Sequence, residues 1–60
     1  MVDERPDMIA RARIALGNVL RLQGRWEAAR RQLTHAHSVA AEAGLAREQT
    51  LALEFLGDVH

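Results

Sequence analysis

The sequence predicts an all-α fold of three antiparallel helices, on two observations. Glycines at 24 and 44 divide the chain into runs of good helix formers. Within those runs apolar residues recur at intervals of three and four. Connections as short as Gln23-Gly24-Arg25 make each helix fold back on the one before it. Residues 1–60 are therefore expected to form a single small helical module.

The first helix is expected over about residues 7–22. Pro6 fits a first helical turn, where its missing N–H leaves nothing unsatisfied, and Asp7 suits the positive end of the helix dipole. Gly24 can take the left-handed conformation that closes a helix. On a helical wheel at about 100° per residue, Met8, Ile9, Ala12, Ala15, Leu16, Val19 and Leu20 share one broad arc, the expected core face. Arg11, Asn18 and Arg21 cluster on another arc, with Ile14 and Leu22 among them.

The second helix is expected over 26–43. Trp26, Ala29, Leu33, Ala36, Ala40 and Ala43 form one stripe with spacings of 3, 4, 3, 4 and 3, so all six are expected in the core. Trp26 heads the stripe, with its indole N–H expected to reach an acceptor at the rim. Gly44 closes this helix as Gly24 closes the first. The third run, about 46–60, lacks a good N-cap side chain, so its start is the least defined boundary.

Composition narrows the function classes. A chain of 60 residues buries only about 60% of the surface exposed when unfolded, so its core is small. It has no cysteine, which removes disulfides, thiolate metal sites and a cysteine nucleophile, and suits a reducing cytoplasm. No apolar run approaches the roughly 18 residues of a membrane span, and the opening Met1-Val2-Asp3-Glu4-Arg5-Pro6 is too acidic for a signal peptide. Net charge is zero, yet residues 11–31 hold six arginines against Glu27, between acidic ends. That arrangement favours internal neutralisation or head-to-tail stacking over nucleic-acid binding. Arg11 and Arg13 also lie on different sides of their helix, which disperses any phosphate-binding face.

The chain contains a partial repeat. At an offset of 40, Ala12-Arg13-Ile14-Ala15-Leu16-Gly17-Asn18-Val19 aligns with Ala52-Leu53-Glu54-Phe55-Leu56-Gly57-Asp58-Val59. A glycine inside a helix costs about 1 kcal/mol relative to alanine, so Gly17 and Gly57 both imply close approach by a neighbouring backbone. Leu16-Gly17-Asn18, followed by Gly24-Arg25-Trp26-Glu27-Ala28-Ala29 and then Leu33 and Ala36, resembles the tetratricopeptide repeat, over roughly residues 8–60. The spacing of 40 is similar to that of a longer-helix variant found in bacterial regulatory proteins and scaffolds. Arg13, Leu20 and His60 depart from the family pattern, which favours apolar or aromatic residues there.

The resemblance implies a cytoplasmic protein-interaction module, taken from or belonging to a larger regulatory protein, that grips a peptide in a groove lined by first helices. Carried over position by position, that groove comprises Arg11, Ile14, Asn18 and Arg21, with Leu51, Glu54 and Asp58 from the second copy. Asn18 is the nearest match to the family pattern, because an amide both donates to and accepts from a ligand backbone. The same residues equally suit a solvated helix face crossed by ion pairs. One complete repeat followed by a single further helix also implies an apolar face on residues 46–60, at Ala52, Phe55, Leu56 and Val59. The alternative function is therefore self-association through that face, as a homo-oligomer or with a continuation of the same solenoid.

No cofactor, metal site or enzymatic activity is expected. His35 and His37 stand two apart on a helix and diverge by about 200°, whereas helical metal ligands prefer spacings of three or four. His60 has no evident partner. The sequence shows no Gly-rich phosphate loop and no grouping of nucleophile and base.

Overall fold

The computed structural model describes residues 5–59, apart from the side chain of Val59. It is all-α, with three helices: α1 Pro6–Leu22, α2 Trp26–Ala43 and α3 Ala46–Val59. The expected boundaries and the observed ones agree to about one residue, because glycine geometry sets them. Gly24 and Gly44 have φ of 77° and 70°, the left-handed region. Past each glycine the chain donates back to the helix: Arg25 N–H to Leu20 O at 2.9 Å, and Leu45 N–H to Ala40 O at 2.8 Å. These are the long bonds of the Schellman ending, which satisfy carbonyls a helix otherwise leaves open. Pro6 occupies the first turn of α1 as expected. No described helix is long and apolar enough to cross a membrane.

Helix α2 packs along both neighbours, and α1 meets α3 along a narrower edge. The core is built from small residues and a few large ones. Ala10, Ala29, Leu33, Ala36, Ala40 and Ala52 are fully buried, with Ile14 and Leu20 nearly so. Phe55 and Leu56 pack against the cluster of Ile14, Leu33, Ala36 and Ala52.

The rotation of α1 corrects the expected core face. Met8, Ala12, Ala15, Leu16 and Val19 are exposed and Ile9 is half-buried, so of that arc only Leu20 is in the core. The buried side carries Ala10, Ile14, Gly17 and Leu20 instead. The cause is Gly17. A Cβ built there would lie 2.6 Å from Leu33 Cγ and 2.8 Å from Leu33 Cδ2. The missing side chain is thus a socket for Leu33, and seating Leu33 turns α1 so that the side bearing Gly17, with Ala10, Ile14 and Leu20, faces inward rather than its most apolar arc. Close approach at Gly17 was expected and is present. At Gly57 nothing lies within 4 Å of the corresponding Cβ, so that expectation fails.

On α2 the stripe holds at Ala29, Leu33, Ala36 and Ala40 but not at its ends, since Trp26 and Ala43 are exposed. Helical Cβ atoms tilt toward the N-terminus, so the first residue of α2 projects past the packed turns. Trp26 accordingly remains 51% exposed, beside Arg25, Glu27, Ala28 and Arg31.

Candidate cleft between the first and third helices

Where α1 and α3 diverge above the core they leave an open cleft of about 460 Å³. Helix α1 contributes Arg11, Ile14, Ala15 and Asn18, and α3 contributes Arg47, Glu48, Leu51 and Phe55. The register follows from helix periodicity. Residues 11, 14, 15 and 18 lie one turn apart along one side of α1, as do 47, 48, 51 and 55 along α3. Its apolar lining is Ile14, Ala15, Leu51 and Phe55, and of its polar lining Glu48 is buried while Arg11 and Arg47 are exposed.

The polar lining is partly self-satisfied. Arg11 Nε lies 3.6 Å from Glu48 Oε1, a pair in which the Arg11 side chain is 67% exposed and that of Glu48 only 12%. Arg21 Nη2 donates to Asn18 Oδ1 at 2.6 Å, and the Arg21 guanidinium carbon sits 5.7 Å from the centroid of the Phe55 ring. A guanidinium over an aromatic face is attracted by the ring quadrupole. Arg21 Nε is buried with no hydrogen-bond partner. The Asn18 carbonyl is thus engaged by Arg21.

Of the groove positions inferred from the sequence, Arg11, Ile14, Asn18 and Leu51 line the cleft. Arg21 adjoins it through Asn18 and Phe55. Glu54 and Asp58 are exposed and lie away from it. Ile14 has two duties, because it is also in the core. Ala15, Arg47, Glu48 and Phe55 were missed by sequence reasoning. A signal existed for Glu48 and Phe55, since 48, 52 and 55 continue one stripe at spacings of four and three, which turns Glu48 inward beside Ala52.

The self-association face inferred on α3 is corrected. Ala52 is fully buried, and Phe55 and Leu56 pack on the core, because that side of α3 is the one that seats on α1 and α2. The side chain of Val59 lies outside the described residues. The free side of α3 instead carries Leu53, which is exposed, and Gly57.

No family model, curated protein or solved structure matches the chain.

Elsewhere the polar side chains pair locally. Arg13 Nη1 donates to Gln32 Oε1 at 2.8 Å, tying α1 to α2, and Arg30 pairs with Glu27 at 2.9 Å. His37 Nε2 lies 3.4 Å from Gln49 Nε2, whereas His35 is exposed. His60 lies outside the described residues. Among the described residues no three His, Cys, Asp or Glu side chains group as a metal site.

Proposed function

We propose that the chain is a non-catalytic protein-interaction module of tetratricopeptide type, belonging to a regulatory protein, and that it holds a peptide segment of a partner in the cleft between α1 and α3. One observation carries the reading. Ile14, Ala15, Leu51 and Phe55 form an apolar lining beside two exposed arginines, Arg11 and Arg47, and the side chain of Asn18. An apolar floor with few convergent polar groups is the usual composition of a binding site. The repeat at offset 40 and the Gly17 socket further support the family resemblance.

Lining charges of Arg11 and Arg47 against Glu48 leave an excess of one positive charge. The preferred ligand is therefore a segment with one apolar anchor flanked by carboxylates, which arginine binds through its planar fork. The test is selection of peptides from a displayed random library, repeated on Leu51→Glu and Asn18→Ala. Selected peptides should share an apolar residue with acidic neighbours, and Leu51→Glu should weaken them by about tenfold or more. Peptides that bind both variants as well as the parent would remove the cleft from the reading.

A further inference from the structure

Glu48 is a mostly buried carboxylate that finds no donor in its own helix. It is the third residue of α3, the position from which a glutamate ordinarily reaches back to the backbone N–H of the capping residue. Here that residue is Leu45, whose carbonyl opens the helix by accepting from Gln49 N–H at 2.9 Å. Leu45 N–H is already donated to Ala40 O at 2.8 Å, in the Schellman ending of α2. The tight turn from α2 to α3 thus occupies the donor that Glu48 would otherwise use. Among the described residues Glu48 accepts no hydrogen bond, and Arg11 Nε at 3.6 Å is too distant to make one. Arg21 Nε is the sole described side-chain polar atom that is both buried and unpartnered, so the Glu48 oxygens keep some exposure. Glu48 lines the cleft, and the cleft provides that exposure.

We propose that Glu48 accepts a main-chain N–H of the bound segment, from the residue whose side chain lies on the apolar lining. This deepens, and rests on, the reading of the cleft as a peptide site. Glu48, Leu51 and Phe55 follow at intervals of three and four, so acceptor and apolar lining stand one helical turn apart, about 5–6 Å between Cβ atoms. A leucine-sized side chain spans a similar distance from its own main-chain nitrogen. Bonds to charged acceptors are the strong ones, so a carboxylate held this deep without a donor gains most from receiving one. A side-chain ammonium is the other donor chemistry, and charge disfavours it. Arg47 precedes Glu48 in the chain and Arg11 lies 3.6 Å away, so a third cation would enter beside two. A main-chain N–H brings no net charge.

The probe is acetyl-Asp-Leu-Asp-amide, with an analogue methylated at the leucine nitrogen, each titrated into the full chain and followed by amide NMR shifts. By charge alone, removing Glu48 should tighten a probe that carries two carboxylates. The acceptor role predicts the reverse. Glu48→Met should weaken the probe by about tenfold, and Glu48→Gln, which keeps a neutral acceptor, by less. On the parent chain methylation should cost a similar factor, and the methylated probe should no longer distinguish parent from Glu48→Met. Thermal unfolding should show neither variant less stable than the parent, which separates lost binding from lost structure. Equal or tighter binding of the probe to Glu48→Met, with binding still lost on Leu51→Glu, overturns the proposal and leaves the cleft reading standing. A methylated probe that binds the parent as well as the unmethylated one overturns it without any variant. Exchanging one aspartate of the probe for lysine should weaken binding; tighter binding that depends on Glu48 would reassign the acceptor to an ammonium and refute the main-chain role. A probe that never binds, or that ignores Leu51→Glu, removes the cleft reading and this proposal together.

Discussion

Replacing Gly17 and Gly57 by alanine should move stability in opposite directions, although both glycines lie within helices and align at the repeat offset. Alanine gains up to about 1 kcal/mol over glycine in a helix interior, and less near an end. At Gly57, two residues from the last of α3, nothing lies within 4 Å of the new methyl group, so about 0.5 kcal/mol of that gain should be realised. At Gly17 the methyl would lie 2.6 Å from Leu33 Cγ and 3.4 Å from the Ala29 carbonyl oxygen. Leu33 is fully buried and cannot swing into solvent, so α1 and α2 must separate. Overpacking of this kind typically costs about 1–3 kcal/mol. Subtracting the helical gain leaves a net loss of about 1 kcal/mol. For so small a domain 1 kcal/mol moves Tm by about 4–8 °C, so Gly17→Ala should lower it by that much and Gly57→Ala raise it by about 2–4 °C. Thermal unfolding followed by circular dichroism, at one chain concentration for all three proteins, reads both shifts. If Gly17→Ala were as stabilising as Gly57→Ala, the socket for Leu33 would not exist and the rotation assigned to α1 would be wrong.

Two further perturbations address residues whose environments the sequence did not reveal. Trp26, the sole tryptophan and half exposed, should fluoresce like a solvated indole and be readily quenched by acrylamide; a blue-shifted, protected emission would place it in the core. Glu48→Met should leave Tm unchanged or raise it, because the mostly buried carboxylate has only a largely exposed arginine 3.6 Å away, and apolar replacements of such pairs are often neutral or stabilising. A loss above about 2 kcal/mol in the same unfolding assay would show that Glu48 anchors a stronger polar network.

The legible part of the candidate site was the part set by local spacing. Arg11, Ile14 and Asn18 belong to one side of α1 by helical periodicity, whatever that helix packs against. Leu51 entered through the repeat offset. Glu54 and Asp58 entered by the same route and were misplaced, because an offset transfers positions along a helix but not the direction from which a neighbour approaches. Glu48 was missed because a charged residue reads as solvent-facing until Ala52 and Phe55 show which way α3 is turned.

What the sequence determined by itself were the three helices and their ends. Those depend on short-range chemistry: Pro6 at a first turn, and glycines at 24 and 44 able to take positive φ. The tertiary structure decided how each helix is rotated about its own axis. A wheel fixes the angles between residues but not which of them points inward. The most apolar arc of α1 is a poor guide here, because the closest contact is made where a side chain is missing. Leu33 entering the space at Gly17 sets the phase of α1, turns Ile14 into the core and leaves Met8, Ala12, Val19 and Leu22 outside.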